Sequence, residues 1–144
     1  MRRLWVAFCL APLLAGAVAG CGGDAEETRS ATTVRVLVRD INIRPVGVDC
    51  AGTGPYTHFH NRAPFRVEDA GGATLAEGAL TGGRSVPAFE EDLEVAKVPT
   101  YCEFRMPVQL ARRDAYRLAV DGRAPIPLTA NDSEGPALVA VVPS

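Results

Sequence analysis

The sequence has little of what enzymes and nucleic-acid-binding proteins usually need. Histidine occurs only twice, and the G-x-S-x-G, H-E-x-x-H and P-loop motifs are missing. The sequence therefore gives no support to a serine hydrolase, a zinc protease or a nucleotide-dependent enzyme. The 17 acidic residues outnumber the 15 lysines and arginines, and no basic stripe occurs, which argues against nucleic-acid binding. We expect no catalysis, no cofactor and no nucleic-acid partner.

Long apolar runs are also scarce, and the one that exists stands at the N-terminus. Arg2 and Arg3 precede an apolar run over residues 4–19 that contains Pro12. This run is shorter than the roughly 18–20 residues that a membrane-spanning helix needs. A basic start, a short apolar run and a small-residue exit are typical of a secretory signal peptide. We predict that residues 1–20 are such a signal peptide.

Two processing routes fit the end of this leader. Ala17, Val18 and Ala19 match the A-x-A rule, with cleavage before Gly20. The tetrapeptide from Val18 to Cys21 resembles the lipobox of bacterial lipoproteins, whose cysteine receives a diacylglyceryl group and becomes the new N-terminus. We favour the lipobox, because the cysteine stands where the motif requires it. The resemblance implies lipidation of Cys21 and an anchor at the extracytoplasmic face of the cell membrane, where two acyl chains hold a protein stably.

The segment after the cysteine has the composition of a tether. Residues 22–32, GGDAEETRSAT, are polar and acidic and include no large apolar side chain. We therefore assign residues 21–32 to a lipidated N-terminus and flexible tether. Residues 33–144 then form one domain with room for a core. Removal of the leader takes away two arginines, so 13 basic residues face 17 acidic ones and the mature net charge is −4 (13 − 17).

The cysteines predict one disulfide bridge. Of the four, Cys9 lies in the leader and Cys21 is the proposed lipid site, which leaves Cys50 and Cys102. Export places this pair in an oxidising compartment, where a disulfide is expected. Two buried thiols or a metal pair are the alternatives, although the spacing matches no zinc motif. The bridge would fix the long loop over residues 42–64 onto the domain.

Alternation of apolar and polar residues predicts strands along the domain. The pattern is clearest in TVRVLVRDI at 33–41, and residues 65–69 and 73–80 form a hairpin around two glycines. Segment 89–98 fits either a helical face or a strand, and we assign it to a strand. Seven or eight short strands separated by Gly, Pro and Asp turns predict an all-β, antiparallel sandwich. The remaining predicted strands are 101–106, 115–120, 125–128 at an edge, and 137–142.

Two segments carry a resemblance to known extracytoplasmic domains. FRVEDAGGATLAEGAL is a strand, a turn and a return strand, and CEFRMPVQLARRDAYRLAV adds a cysteine-bearing and a tyrosine-bearing strand. With the leader, they resemble actinobacterial-type cell-envelope lipoproteins and, more distantly, transthyretin-like, Ig-like or carboxypeptidase-regulatory-like sandwiches. The resemblance implies an accessory or binding module whose partner is an envelope protein, a wall polymer or a small ligand. It implies no reaction.

The HFH tripeptide is the sharpest candidate site. In an extended segment His58 and His60 would point the same way. Two imidazoles on one side could begin a copper or zinc site, with Asp49 as a further ligand. The alternative is a pair of exposed loop histidines that flank a buried Phe59.

The EEDLE segment at 90–94 is a second candidate. Its four carboxylates could bind Ca²⁺, but their spacing is not that of an EF-hand loop. A charged, solvated edge that prevents strand-to-strand aggregation is the interpretation we favour. A nucleophilic triad would need one of the two histidines, and nothing marks Ser85 or Ser133 as its partner.

Overall fold

A computed structural model describes residues 27–89, 94–133 and 135–143. The described residues contain strands and one short 3-10 turn over Gly54–Tyr56, so the all-β fold class is confirmed. The strands are β1 (Arg29–Arg44), β2 (Asp49–Cys50), β3 (Pro64–Asp69), β4 (Thr74–Ala79), β5 (Gly83–Pro87), β6 (Val98–Ala111), β7 (Tyr116–Val120), β8 (Ile126–Ala130) and β9 (Ala137–Val142).

The first strand shows how alternation produces the fold. Val34, Val36 and Val38 are fully buried, while the residues between them lie on the outer face. β1 begins at Arg29, so residues 29–32, which we assigned to the tether, belong to the strand. They pair with the end of β6 although they lack large side chains, because backbone hydrogen bonds to a neighbouring strand do not depend on side-chain size.

All nine strands form one curled, mixed sheet in the order β2-β5-β6-β1-β9-β8-β7-β3-β4. β1 and β9 run parallel, from Thr33 opposite Ala137 to Val38 opposite Val142. Every other named pair among the described strands is antiparallel. The expectation of purely antiparallel pairing is therefore wrong at this one pair. Alternation indicates which face a residue takes but carries no information on strand direction.

The inner face of the curled sheet encloses the core. Burial of each large apolar side chain there contributes roughly 1.5–3 kcal/mol relative to exposure. The most deeply buried apolar side chains come from both halves of the sheet and include Val34, Val36, Val38, Val67, Leu80, Phe104, Met106, Leu110 and Leu118.

Two local predictions differ from the structure. β5 begins at Gly83, the second residue of a Gly82–Gly83 pair that we assigned to one of the glycine turns, and it pairs with Thr100–Glu103 of β6. Segment 89–98 was expected to be a strand, but β6 begins only at Val98, and the described residues before it form bends. Residues 90–93 of that segment lie outside the described part of the chain.

The predicted disulfide is present. Cys50 in β2 is bonded to Cys102 in β6, with 5.8 Å between their Cα atoms. The same loop is held by backbone hydrogen bonds from Gly47 N to Ser85 O at 2.8 Å and from Ser85 N to Val48 O at 2.9 Å. The long loop after β1 is thus fixed to the sheet, as the cysteine pair predicted.

Candidate functional site

The HFH tripeptide lies in a folded loop rather than in an extended segment. Gly52 N donates to Phe59 O at 2.7 Å, and Phe59 N donates to Tyr56 O at 2.9 Å. Gly54, with φ of 58°, and Pro55 begin the 3-10 turn that folds the chain back on itself. The premise that residues two apart point the same way therefore fails here.

The two histidines have different surroundings. His58 is half-buried, and its ring lies 4.4 Å from that of Phe59, which is only 3% exposed. Burial lowers the pKa of His58, and the positive charge of Arg123 lowers it further, so the imidazole is neutral at pH 7. His60 is exposed, with Nδ1 2.9 Å from Asn61 O. This arrangement matches loop histidines on either side of a buried aromatic ring.

Among the residues that the structure describes, no third ligand joins these histidines. Asp49 instead forms an ion pair with Arg84 at 2.9 Å. Across residues 27–89, 94–133 and 135–143, no group of three or more His, Cys, Asp or Glu side chains is placed to hold a metal ion.

The other residues considered from the sequence are placed as follows. Cys21 and residues 90–92 lie outside the described residues. Ser85 is buried, donates to Pro45 O at 2.7 Å and accepts from Val48 N at 3.0 Å, so its hydroxyl orders the loop. Ser133 is exposed and bonds Asn131 at 2.7 Å.

A buried carboxylate on the outer face of the sheet was not anticipated. Glu103 is 5% exposed, and its two oxygens lie 2.5 Å from Arg35 Nε and 3.0 Å from Arg105 Nε. The two arginines stand directly opposite each other on β1 and β6, where like charges repel. The carboxylate offsets that repulsion. Only knowledge of the strand register could have revealed this cluster.

A groove separates β4 from the second half of β6. β5 pairs with β6 only over Thr100–Glu103, so β6 extends beyond its neighbour. The groove has a volume of about 360 Å³ and is referred to below as the β4–β6 groove. It is lined by Phe65, residues 76–79 of β4, Thr81 and residues 106–109 of β6.

The backbone of β6 turns polar groups toward this groove. Thr81 Oγ1 donates to Arg105 O at 3.2 Å, so that carbonyl faces the groove. In an antiparallel ladder, alternate residues direct both their N–H and C=O groups to the same edge. No register shift interrupts β6 between residues 101 and 111. Pro107 and Gln109 therefore face the groove as well.

The backbone of β4, on the opposite rim, also directs N–H and C=O groups into the groove. Leu80 N donates to Ala63 O, and Arg62 N donates to Leu80 O, both at 2.8 Å. Leu80 thus faces β3, and by alternation Glu77 and Ala79 face away from β3, into the groove. Both rims of the groove are strand edges.

Apolar side chains are also exposed at one end of the sheet. Ile41 and Ile43 near the end of β1, and Phe89 and Val95 before β6, each expose more than half of their surface. They lie at the opposite end of β1 from Arg29. Because β1 has 16 residues, that end is at most about 50 Å from its start.

Comparison with known proteins identifies no relative: no family model, curated protein or solved structure matches the chain. Among the described residues, no helix is long and apolar enough to cross a bilayer.

Proposed function

We propose that this chain is an exported, lipid-anchored cell-envelope lipoprotein whose disulfide-stapled β-domain is a binding or accessory module and not an enzyme. The observation that carries the proposal is the bridge between Cys50 and Cys102. Such bridges persist in oxidising compartments and are rare in the cytosol. The bridge therefore agrees with the export signal at residues 1–20 and with a lipobox that ends at Cys21.

The position of β1 supports an anchor close to the domain. Eight residue steps separate Cys21 from Arg29, where β1 begins. An extended chain of that length covers at most roughly 26–29 Å. The start of β1 would then lie near the bilayer, and the end of the sheet with Ile41 and Ile43 would lie far from it.

A sandwich of the Ig-like or transthyretin-like kind is the finer fold that we propose. Tyr116 stands at the start of β7, where its hydroxyl donates to Ala111 O at 3.1 Å and accepts from Arg113 N at 2.8 Å. A tyrosine whose hydroxyl bonds the backbone a few residues upstream is typical of Ig-like sandwiches. The curl of the sheet around one core is consistent with two facing layers.

The test of this proposal is the intact mass of the protein from the membrane fraction, with and without reductant. We expect a diacylglyceryl adduct that begins at Cys21, and a gain of about two daltons when the single bridge is reduced. The Cys21→Ala variant should lose the adduct but keep the bridge. A soluble product that begins at Gly20 and carries free thiols would contradict the proposal.

Copper or zinc binding by His58 and His60 is the alternative function. The observation in its favour is the lowered pKa of His58, because a metal binds the neutral imidazole. Native mass spectrometry with added Cu²⁺ or Zn²⁺ tests it. A metal adduct that disappears in His58→Ala and persists in Asn61→Ala would support this function, and no adduct would exclude it.

A further inference from the structure

We propose that the last six residues of β1, which we call the β1 overhang (residues 39–44), form a self-association site for a second copy of this chain. The two overhangs would pair antiparallel across a two-fold axis at Asn42, with Ile41 of each copy opposite Ile43 of the other. The inference goes beyond the proposed function and does not depend on the lipid anchor.

The overhang extends past the strand that covers one edge of β1. β9 pairs with β1 only as far as Val38, whereas β1 continues to Arg44. β8 does not take over, because only its last two residues, Thr129 and Ala130, pair with β9, while its first three pair with β7. Among the described strands, none pairs with the overhang on this side. A strand added there needs a spacing of about 4.8 Å from β1 alone.

The main chain of Ile43 points toward this uncovered side. Ile43 lies opposite Pro99 of β6, and the carbonyl of Pro99 accepts from Ala88 N at 3.0 Å, so it faces β5 and not β1. In an antiparallel pair, two opposite residues direct their main-chain groups either toward each other or both away. The N–H and C=O of Ile43 therefore point away from β6, where another strand can bond to them.

A bulge fixes the shape of the overhang. The register shifts between Arg39 and Ile43, so residues 40–42 stand opposite Thr100 alone, and β6 cannot pair with all of their main-chain groups. The buried side chain of Asp40 accepts from Asn42 N at 2.9 Å and holds this bulge in place. The edge is thus ordered before a second copy binds, which lowers the entropy cost of association.

The side chains of the overhang match those of an antiparallel copy. Edge strands are usually protected by charged side chains or by proline. Here Ile41 and Ile43 are 73% and 61% exposed. The sequence of residues 41–43, INI, reads the same in both directions, so antiparallel pairing places isoleucine opposite isoleucine. This symmetry favours a second copy as the occupant.

The charges near the overhang do not oppose this pairing. Arg44 Nε lies 2.6 Å from Asp40 Oδ2 in the same chain, so these two charges compensate each other. Arg39 is three residues from Asn42, which separates the two copies of Arg39 by six steps along the strands, roughly 20 Å. This distance exceeds the Debye length of about 8 Å at physiological salt. Lys97 precedes β6, on the other side of β1.

Other exposed apolar side chains at this end enlarge the contact. Val46, Phe89 and Val95 each expose more than half of their surface. Antiparallel pairing of two overhangs brings these ends of the two copies together, so the three side chains lose contact with water as well. A short extended peptide would cover the strand edge and leave them exposed. A second copy is therefore the occupant that fits best.

The test is sedimentation velocity of the full chain with Cys21→Ala, so that acyl chains cannot cause association. We expect a reversible dimer whose fraction rises with protein concentration. The double variant Ile41→Lys/Ile43→Lys places like charges opposite each other, so we expect its dissociation constant to rise at least about tenfold. Ile41→Glu/Ile43→Glu should have the same effect. An equimolar mixture of the two double variants should form the dimer again, because opposite charges then face each other.

Val141→Lys is the matched control. Val141 is an exposed β-branched residue on β9, 41% exposed, and it lies outside the proposed contact. Its dissociation constant should stay within about threefold of the native value. Hydrogen–deuterium exchange of the native dimer should show protection over residues 41–44. A monomer at every concentration, protection elsewhere, equal dimers in all variants, or a mixture that stays monomeric would overturn the proposal.

Two further results separate this proposal from its alternatives. Protection of residues 41–44 by an extended peptide of alternating threonine and valine, in a chain that stays monomeric, would make a partner segment the occupant and overturn the assignment to a second copy. The mass test is independent of this one. A monomer with a lipid adduct would remove self-association alone, whereas a dimer of a chain that never carries the adduct would remove the anchor alone.

Discussion

Removal of the Cys50–Cys102 bridge should lower the free energy of unfolding by about 4 kcal/mol. The bridge closes a loop with a sequence separation of 52 residues. For a loop of this length, the chain-entropy model gives a loss of about 14 cal/mol/K in the unfolded state, which is about 4 kcal/mol at 25 °C. Domains of this size are usually stable by only about 5–15 kcal/mol, so the effect is large.

Little of this loss should come from the folded state. Cys102 is buried beside Gly83, where an added Cβ would lie only 2.5 Å from the sulfur. The glycine leaves just enough room for the sulfur, so replacement of Cys102 by alanine leaves only a small space. Phe59 stays packed near Phe104, with 6.4 Å between ring centroids, so the loop keeps its own contacts with the core.

Urea unfolding of the native protein and of the double variant Cys50→Ala/Cys102→Ala measures the effect. The native protein in reductant should match the double variant, and Cys21→Ala should match the native protein. A difference below about 1 kcal/mol between native and double variant would refute the reasoning. It would show that the unfolded chain is already compact without the bridge.

Three further predictions concern single side chains. Glu103→Gln should lower the unfolding free energy by about 2 kcal/mol, because two charge-assisted hydrogen bonds to arginine are lost; an unchanged urea midpoint would count against this. Tyr116→Phe should cost about 1 kcal/mol through the lost bonds to Ala111 and Arg113, and full native stability would show that the hydroxyl is dispensable. Burial lowers the pKa of His58, so the unfolded state takes up this proton first and stability should fall as the pH drops below about 6.5. In the His58→Gln variant, the unfolding free energy should depend less on pH in this range. An equally strong pH dependence in the variant would rule out His58 as its cause.

The parts of the fold that could be predicted from sequence are those that a local pattern of contiguous residues determines. The valines of β1 alternate with Arg35, Leu37 and Arg39, and the hairpin of β3 and β4 has its glycines between two alternating runs. In both cases local pattern and tertiary packing require the same conformation. The bridge was also predictable, since a predicted export signal and an even cysteine pair leave few alternatives.

The parts that were missed depend on distant residues. β5 is the short stretch Gly83–Pro87, which begins at the second of two glycines, and its strand conformation comes from pairing with β6. The ion pairs of Glu103 follow from the register that places Arg35 opposite Arg105, two positions along β6 from the carboxylate. The fold of the HFH loop had a local signal, because Gly54 and Pro55 form a dipeptide typical of turns. The rims of the β4–β6 groove became visible only once strand order and hydrogen-bond direction were known.

The parallel pair of β1 and β9 also has a mechanical consequence. The start of β1 and the end of β9 lie at opposite ends of one ladder that runs from Thr33 opposite Ala137 to Val38 opposite Val142. A pull applied between the proposed membrane anchor and the end of β9 therefore acts along the strands. It loads the interstrand hydrogen bonds in shear, so that they must break together rather than one after another. The central pair of β1 and β9 would therefore resist tension between the membrane and a structure attached beyond β9.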